Sequence, residues 1–429
     1  MRKHRDRTAL IHGKFKSEKW DFRDHVLPPI TTAVNFRLRS AERGAQAFQQ
    51  FANPEFNRDT DQPIYIYDRL DEPCVGLLEE TLAFSEKGET AVVYSTGMAA
   101  ISAALGIHLK QGEHLCYHPA VYGCTYGHIT GWLTRYGIEN TPINFNNLDA
   151  LKGAIRPGTR VLYFETPSNP TMELVDIDQV VSLVKEINST RPQEEQIKTV
   201  VDNTFASPFG QRPLTRGIDF VVHSLTKHIG GFGASMGGVV VGPRTAETDL
   251  LLYRKDFGGS IAPDTAWHIL VYGLPTLSSR LEKQQVTAQK VAEFLDGHES
   301  VSQTYYPGLE SFPQRKLAEH QMNDVDGNFA PGSMIYFEMA GDSPEESYNR
   351  AVKVCNHLAE NALSVTLAVS LGQIRTLVEH PASMTHAAIP PEEQIAAGIY
   401  PGGVRLSIGL EDIRDIIAEL DEALLAASS

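Results

Sequence analysis

Asp219-Phe220-Val221-Val222-His223-Ser224-Leu225-Thr226-Lys227-His228 is the stretch on which the reading of this chain turns. Phe220-Val221-Val222 has the composition of a short buried strand, and Lys227 stands just past its end. An amine becomes a nucleophile for carbonyls when burial or nearby positive charge draws its pKa towards neutrality, and the end of a buried strand is such a place. Ser224 and Thr226 add hydroxyls, and a phosphate ester is held by hydroxyls and free backbone N–H groups. Gly230, Gly231, Gly233, Gly237 and Gly238 follow, letting backbone approach a ligand closely. A lone lysine after a strand is commonly a solvated loop residue, so its companions decide.

Working outward, residues 90 to 275 alternate strand and helix signals. Val92-Val93-Tyr94, His114-Leu115-Cys116-Tyr117, Val161-Leu162-Tyr163-Phe164, Thr199-Val200-Val201 and Phe220-Val221-Val222 read as buried strands. Ile177, Val180, Val181, Val184 and Ile187 form a helical stripe, and small residues after Ser95-Thr96-Gly97-Met98 suggest a close-packed helix whose N-terminus suits a phosphate. This pattern predicts an α/β fold with a mostly parallel sheet, in which ligands sit outside the carboxyl ends of the strands. Polar clusters gather there: Glu165 to Pro170, Asp202-Asn203-Thr204, and Ser224 to Lys227.

Residues 1–65, rich in Arg, Gln, Asn, Phe and Pro, show little periodicity. They read as an arm lying on a neighbouring subunit, because Phe36, Phe48, Phe51 and Phe56 are too apolar to stand free. Residues 66–275 form the α/β domain, opening with Tyr65-Ile66-Tyr67-Asp68-Arg69 and a helix marked by Leu77, Leu78 and Leu82. Residues 276–429 read as a smaller α+β domain: Ala351, Cys355, Leu358 and Ala362 mark one helix, Ile413, Ile416, Ile417 and Leu420 another, and Val404, Leu406 and Ile408 a half-buried strand.

The composition narrows the function. With 38 basic and 53 acidic residues the net charge is -15, which argues against a nucleic-acid or anionic-membrane partner and leaves a small molecule. The basic start, Met1-Arg2-Lys3, leads into Lys14, Lys16 and Lys19 instead of an apolar stretch, so no signal peptide is expected. The cysteines Cys74, Cys116, Cys124 and Cys355 lack paired spacing, which predicts no metal site and a reducing, cytoplasmic setting.

Read together, Tyr67-x-Arg69, Ser95-Thr96-Gly97-Met98, Tyr122-Gly123, Glu165-Thr166-Pro167-Ser168-Asn169-Pro170, Val201-Asp202-Asn203-Thr204, Ser224-x-Thr226-Lys227 and Arg405-Leu406-Ser407-Ile408-Gly409-Leu410-Glu411 resemble the transsulfuration family. These are fold-type I pyridoxal phosphate (PLP) enzymes of cysteine and methionine metabolism. The resemblance implies that Lys227 holds PLP and shuttles the substrate Cα proton, and that Asp202 pairs with the pyridine nitrogen. It implies that Tyr122 stacks on the ring and, with its phenol pKa lowered by neighbours, exchanges protons with substrate or leaving group. Gly97, Met98, Ser224 and Thr226 are implied as the phosphate cradle, completed by Tyr67 and Arg69 of the neighbouring subunit in a homo-oligomer, a tetramer built from active dimers. Asn169 is implied to contact the ring hydroxyl, and Arg405 with Ser370 to grip the α-carboxylate of an amino-acid substrate. The segments Leu367 to Gly372 and His380 to His386 are similar to the methionine γ-lyases and their sulfhydrylase relatives, and Cys124 and Lys255-Asp256 point to the lyases, a likeness that implies a Cys124 thiol facing the substrate side chain beside Val369. That likeness implies γ-elimination on L-methionine, with γ-replacement on O-acetylhomoserine or O-succinylhomoserine, or cystathionine cleavage, as alternatives. Glu72-Pro73-Cys74, Phe232 and Tyr272-Gly273-Leu274 depart from the family's usual residues without removing a cofactor contact.

Overall fold

The computed structural model describes residues 4–13, 18–20, 24–58 and 60–428. Met1 to Lys3, Lys14 and Lys16, used above in reading the N-terminus, lie outside them.

Seven strands build the first sheet: β1 (Thr90–Tyr94), β2 (His114–Tyr117), β3 (Glu139–Pro142), β4 (Thr159–Glu165), β5 (Lys198–Asp202), β6 (Phe220–Ser224) and β7 (Gly238–Gly242). Their order is β1-β7-β6-β5-β4-β2-β3, and β7 alone runs against its neighbours. A parallel sheet is covered on both faces, which is why its strands read as continuous apolar runs. On one face the helix Ile177–Asn188, started by Asp176 accepting the Gln179 N–H at 3.1 Å, packs Val180 and Val184 against Leu162, Phe164, Val201 and Val221. On the other, Ala100, Ala103 and Ala104 of the helix Gly97–Gly106 lie against Val92, Val222 and Val240. β4, β5 and β6 thereby end side by side on Glu165, Asp202 and Ser224, with Glu165 in register with Asp202.

The second sheet holds β8 (Val301–Tyr305), β9 (Met334–Met339), β10 (Val365–Leu367), β11 (Thr376–Glu379) and β12 (Gly403–Ser407), in the order β10-β11-β12-β9-β8. The helix Leu274–Asp296 joins the two layers: Leu274, Leu277 and Leu281 belong to the core under the first sheet, while Ala288, Val291, Ala292 and Leu295 belong to the core under the second.

Four features differ from expectation. β12 is buried along its whole length, not half-buried, because β9 and β11 flank it and the second core covers it. β7 is a glycine-bounded run of valines whose Gly238 has no room for a side chain, since a Cβ there would stand 2.2 Å from the Thr96 carbonyl. β3 is an edge strand of polar residues ending in proline, which an edge tolerates and which hides its period. The arm is partly self-supporting: it contains helices Asp6–His12 and Ala41–Gln50, the latter capped by Ser40, and it buries Trp20 against Val75 and Leu78. Val26, Leu27, Ile30, Val34 and Phe48 of the arm remain exposed.

Candidate active site

A cavity of about 370 Å³ opens at the carboxyl ends of β4, β5 and β6 and is shared with Val369, Ser370, Leu371, Thr385 and Arg405 from the second sheet's side. Its size suits a cofactor or small ligand. Gly97, Met98, Tyr122, Asn169, Asp202, Ser224, Thr226, Lys227, Ser370 and Arg405 all line it, so ten of the residues singled out in the sequence meet at one place.

Lys227 follows the end of β6, and its Nζ donates to Ser370 Oγ at 2.7 Å. Burial, and secondly the charge of Arg405, draw its pKa from 10.5 to about 8. Ser370 holds φ +86°, a left-handed conformation costly for a residue with a Cβ, of order 1–3 kcal/mol, and typical of functional sites. Its carbonyl accepts Arg405 Nη2 at 2.8 Å.

Arg405, on β12, is buried together with Glu379, its register partner on β11. Nη1 meets Glu379 Oε1 at 2.8 Å and Asn169 Oδ1 at 2.8 Å. Thr385 Oγ1 donates to the same Glu379 oxygen at 2.8 Å. These contacts leave Nε–H, which is buried without a partner among the described residues, and one N–H of Nη2. Nε and Nη2 form the side edge of a guanidinium, the fork that takes a carboxylate through two parallel bonds.

At the other end, the helix Gly97–Gly106 begins with Thr96 accepting the Ala99 N–H at 3.0 Å, leaving the first N–H groups aimed outward. A Cβ on Gly97 would stand 2.9 Å from that of Ser224, so glycine is required for this helix end to approach the strand. Thr204 Oγ1 accepts the Ser224 N–H at 2.9 Å, and Thr226 Oγ1 accepts the Gly237 N–H at 3.1 Å. The result is a small cradle of hydroxyls and N–H groups at a positive helix end.

Asp202 accepts the Thr204 N–H at 2.9 Å, and burial pushes its pKa up. Tyr122 precedes a short helix, Gly123–Gly127, and its N–H donates to Glu165 Oε1 at 2.8 Å. Its phenol corrects an expectation: the pKa is raised, not lowered, first by burial and then by the hydrogen bond to the Cys124 thiol. Cys124 is exposed and is not among the cavity's lining residues. Tyr67 and Arg69 are exposed as well and do not line it, although Arg69 is tied to the Lys255 carbonyl.

A family model described as Cys/Met metabolism PLP-dependent enzyme matches residues 7–425. The chain belongs to that family. Among relatives of this PLP-dependent family, an L-methionine gamma-lyase of Fusobacterium nucleatum subsp. polymorphum is 40% identical over 398 residues, 92% of each chain. One of Porphyromonas gingivalis with the same name is 39% identical over 419 residues, 97% of this chain and 96% of the other. A crystal structure of cystathionine gamma synthase from Xanthomonas oryzae pv. oryzae in complex with cystathionine matches with TM-score 0.84 and 32% identity, covering 100% of this chain and 99% of that one.

The protein is therefore a fold-type I PLP enzyme, and the cavity fits the cofactor on its own terms. A phosphate cradle that a Cβ would fill, a carboxylate at a neighbouring strand end and a neutralisable amine are the three groups PLP needs. Thr204, Glu379 and Thr385 complete the site and were not singled out from sequence. Thr204 carried a signal in its strand-end cluster, whereas Glu379 becomes visible only through its register with Arg405.

One outcome concerns Lys227. In cofactor-free protein its amine should react with an acylating reagent along a titration centred near pH 8, silent below and reactive above, as the neutral form appears. Mass-spectrometric labelling across pH checks this; a midpoint near 10.5, the ordinary lysine value, contradicts it.

Proposed function

We propose that this enzyme carries out γ-elimination on a sulfur amino acid, L-methionine foremost, giving 2-oxobutanoate, a thiol and ammonia. The observation that carries the reading is the asymmetry of the cavity. Arg405 supplies one carboxylate fork, and Val369, Leu371 and Met236 line the cavity with no second guanidinium among its lining residues. An apolar thioether suits such a wall better than the second amino-acid head group of cystathionine. The names borne by the two lyase relatives support the same reading.

PLP, when bound, supplies an electron sink for the charge that develops at the substrate's Cα. Asp202 would hold the ring nitrogen protonated, and Asn169 would meet the ring hydroxyl. Gly97, Met98, Ser224 and Thr226 would hold the phosphate. Arg405 orients the substrate through its α-carboxylate, with Ser370 and Glu379 fixing the guanidinium. Lys227, neutral near pH 8, takes the Cα proton on Nζ. Tyr122, whose raised pKa keeps its hydroxyl protonated, is the acid that gives a proton to the departing sulfur.

A second reading, γ-replacement on an O-acylhomoserine, uses the same groups and differs in whether water or a sulfur nucleophile completes the reaction. The cystathionine gamma synthase likeness favours keeping it in view. The four free cysteines suit a cytoplasmic location, which cell fractionation tests.

Tyr67 and Arg69, exposed and outside their own chain's cavity, complete the phosphate cradle of a neighbouring subunit. The exposed apolar residues of the arm bury themselves in the same contact, giving active dimers that pair into a tetramer.

Substrate choice is read by kcat/KM for L-methionine, L-cystathionine, O-acetylhomoserine with sulfide, and O-succinylhomoserine with cysteine. L-Methionine should rank first, and a higher value for an O-acylhomoserine selects the second reading. Cys124 lies outside the cavity lining and reaches the reaction through its hydrogen bond to the Tyr122 phenol, so Cys124→Ala should shift methionine against the others by about tenfold at most. A uniform fall would make Cys124 a packing residue.

Assembly has its own test. Arg69→Ala and Lys227→Ala proteins, each nearly inactive, should recover about a quarter of wild-type activity when co-assembled in equal amounts, the share of sites that receive both intact residues. No recovery, or an active monomer in light scattering, overturns the shared site.

A further inference from the structure

β4 and β5 end in adjacent carboxyls. Glu165 lies in register with Asp202, both line the cavity, and Glu165 is only 5% exposed. Two like charges on register neighbours inside a buried site repel one another, which favours the pair holding one proton. The surroundings decide which member carries it. Asp202 accepts the Thr204 N–H at 2.9 Å and is further favoured as an anion by the Thr204 hydroxyl, His223 and Tyr163. Glu165 accepts the Tyr122 N–H at 2.8 Å, and the Asn169 N–H bears on it too. Burial and the charge of Asp202 outweigh both, pushing Glu165 well above the carboxylate range. A neutral carboxyl still accepts through its carbonyl oxygen, so holding Tyr122 needs no charge on Glu165.

We propose that Glu165 is a positioning residue: it stays the protonated member of the pair, leaving Asp202 as the anion that the pyridine nitrogen requires, and it anchors the backbone of Tyr122 at the cavity. This rests on Asp202 being the ring's partner. The carboxyl therefore acts on the reaction twice without touching the reacting atoms. It keeps a second negative charge away from the ring, and it fixes the chain segment that carries the Tyr122 hydroxyl.

The test compares wild type, Glu165→Gln, Glu165→Ala and Asp202→Asn, each cofactor-free and loaded with PLP. Infrared difference spectra at pH 7 should show a protonated-carboxyl band in wild type that Glu165→Gln lacks in both forms. Glutamine keeps an acceptor for the Tyr122 N–H, so PLP affinity should stay within about threefold, while Glu165→Ala leaves a buried donor unpaired and should bind PLP about tenfold more weakly or worse. Equal carboxyl bands in wild type and Glu165→Gln overturn the proposal, as does glutamine weakening PLP as much as alanine. Asp202→Asn should alter the absorption of bound PLP. An unchanged spectrum there overturns the ring assignment, and with it the role given to the proton, while the cofactor-free band reports on Glu165 alone.

Discussion

Two cations, Lys227 and Arg405, share one buried cavity, and the chemistry of the site follows from how differently they are compensated. Removing a charge from water costs several kcal/mol unless a partner is close. Arg405 has one: Glu379, 1% exposed, sits opposite it across β11 and β12 at 2.8 Å. Among the described residues Lys227 has only the Ser370 hydroxyl, at 2.7 Å, as a hydrogen-bond partner, and it feels the guanidinium besides. The guanidinium cannot shed its proton in a protein, so the amine is the group that yields. A fixed cation and a neutralisable amine thus arise from one imbalance, and the proposed reaction asks for both, one to hold a carboxylate and the other to meet an aldehyde. Glu379 and, less strongly, Asp202 oppose the loss but do not outweigh burial and Arg405.

That imbalance requires two layers of the protein to keep their places. Lys227, Asp202 and the phosphate cradle stand on the first sheet, while Arg405, Glu379 and Ser370 belong to the second sheet and its loops. The helix Leu274–Asp296 reaches into both cores. Its Gln284 Nε2 donates to the Gln373 carbonyl at 2.7 Å and to the Ile408 carbonyl at 3.0 Å. One side chain therefore fixes the loop after Ser370 and the end of β12 at once. Gly372 allows the close approach: its φ is +74°, and a Cβ there would lie 2.5 Å from the His228 backbone nitrogen.

Much of this was legible in the sequence, for reasons that can be named. β1, β2, β4, β5 and β6 announce themselves because strands covered on both faces are unbroken apolar runs, and β4, β5 and β6 end on polar residues that line the cavity. β3 and β7 stayed hidden, one polar at an edge and one bracketed by glycines that mimic a loop. The ten lining residues were found because motifs record position along the chain. The state of those residues was not legible. The Tyr122 phenol was expected to titrate low, whereas burial, the Cys124 thiol and Glu379 raise it against the pull of Arg405. Glu379 was missed because nothing in Thr376-Leu377-Val378-Glu379 distinguishes its carboxylate from a solvated one until β12 is laid beside it. The arm's Val26, Ile30 and Val34 are apolar in sequence and exposed in the structure.

The central claim is that this amine, and no other lysine, carries the cofactor. The direct measurement is borohydride reduction of the protein loaded with PLP, followed by proteolysis and mass spectrometry of the pyridoxyl-bearing peptide. The account predicts a single modified peptide spanning Ser224 to Gly231 with the pyridoxyl group on Lys227. A pyridoxyl group on any other lysine, or a protein that binds PLP and yields no reduced adduct, would contradict it.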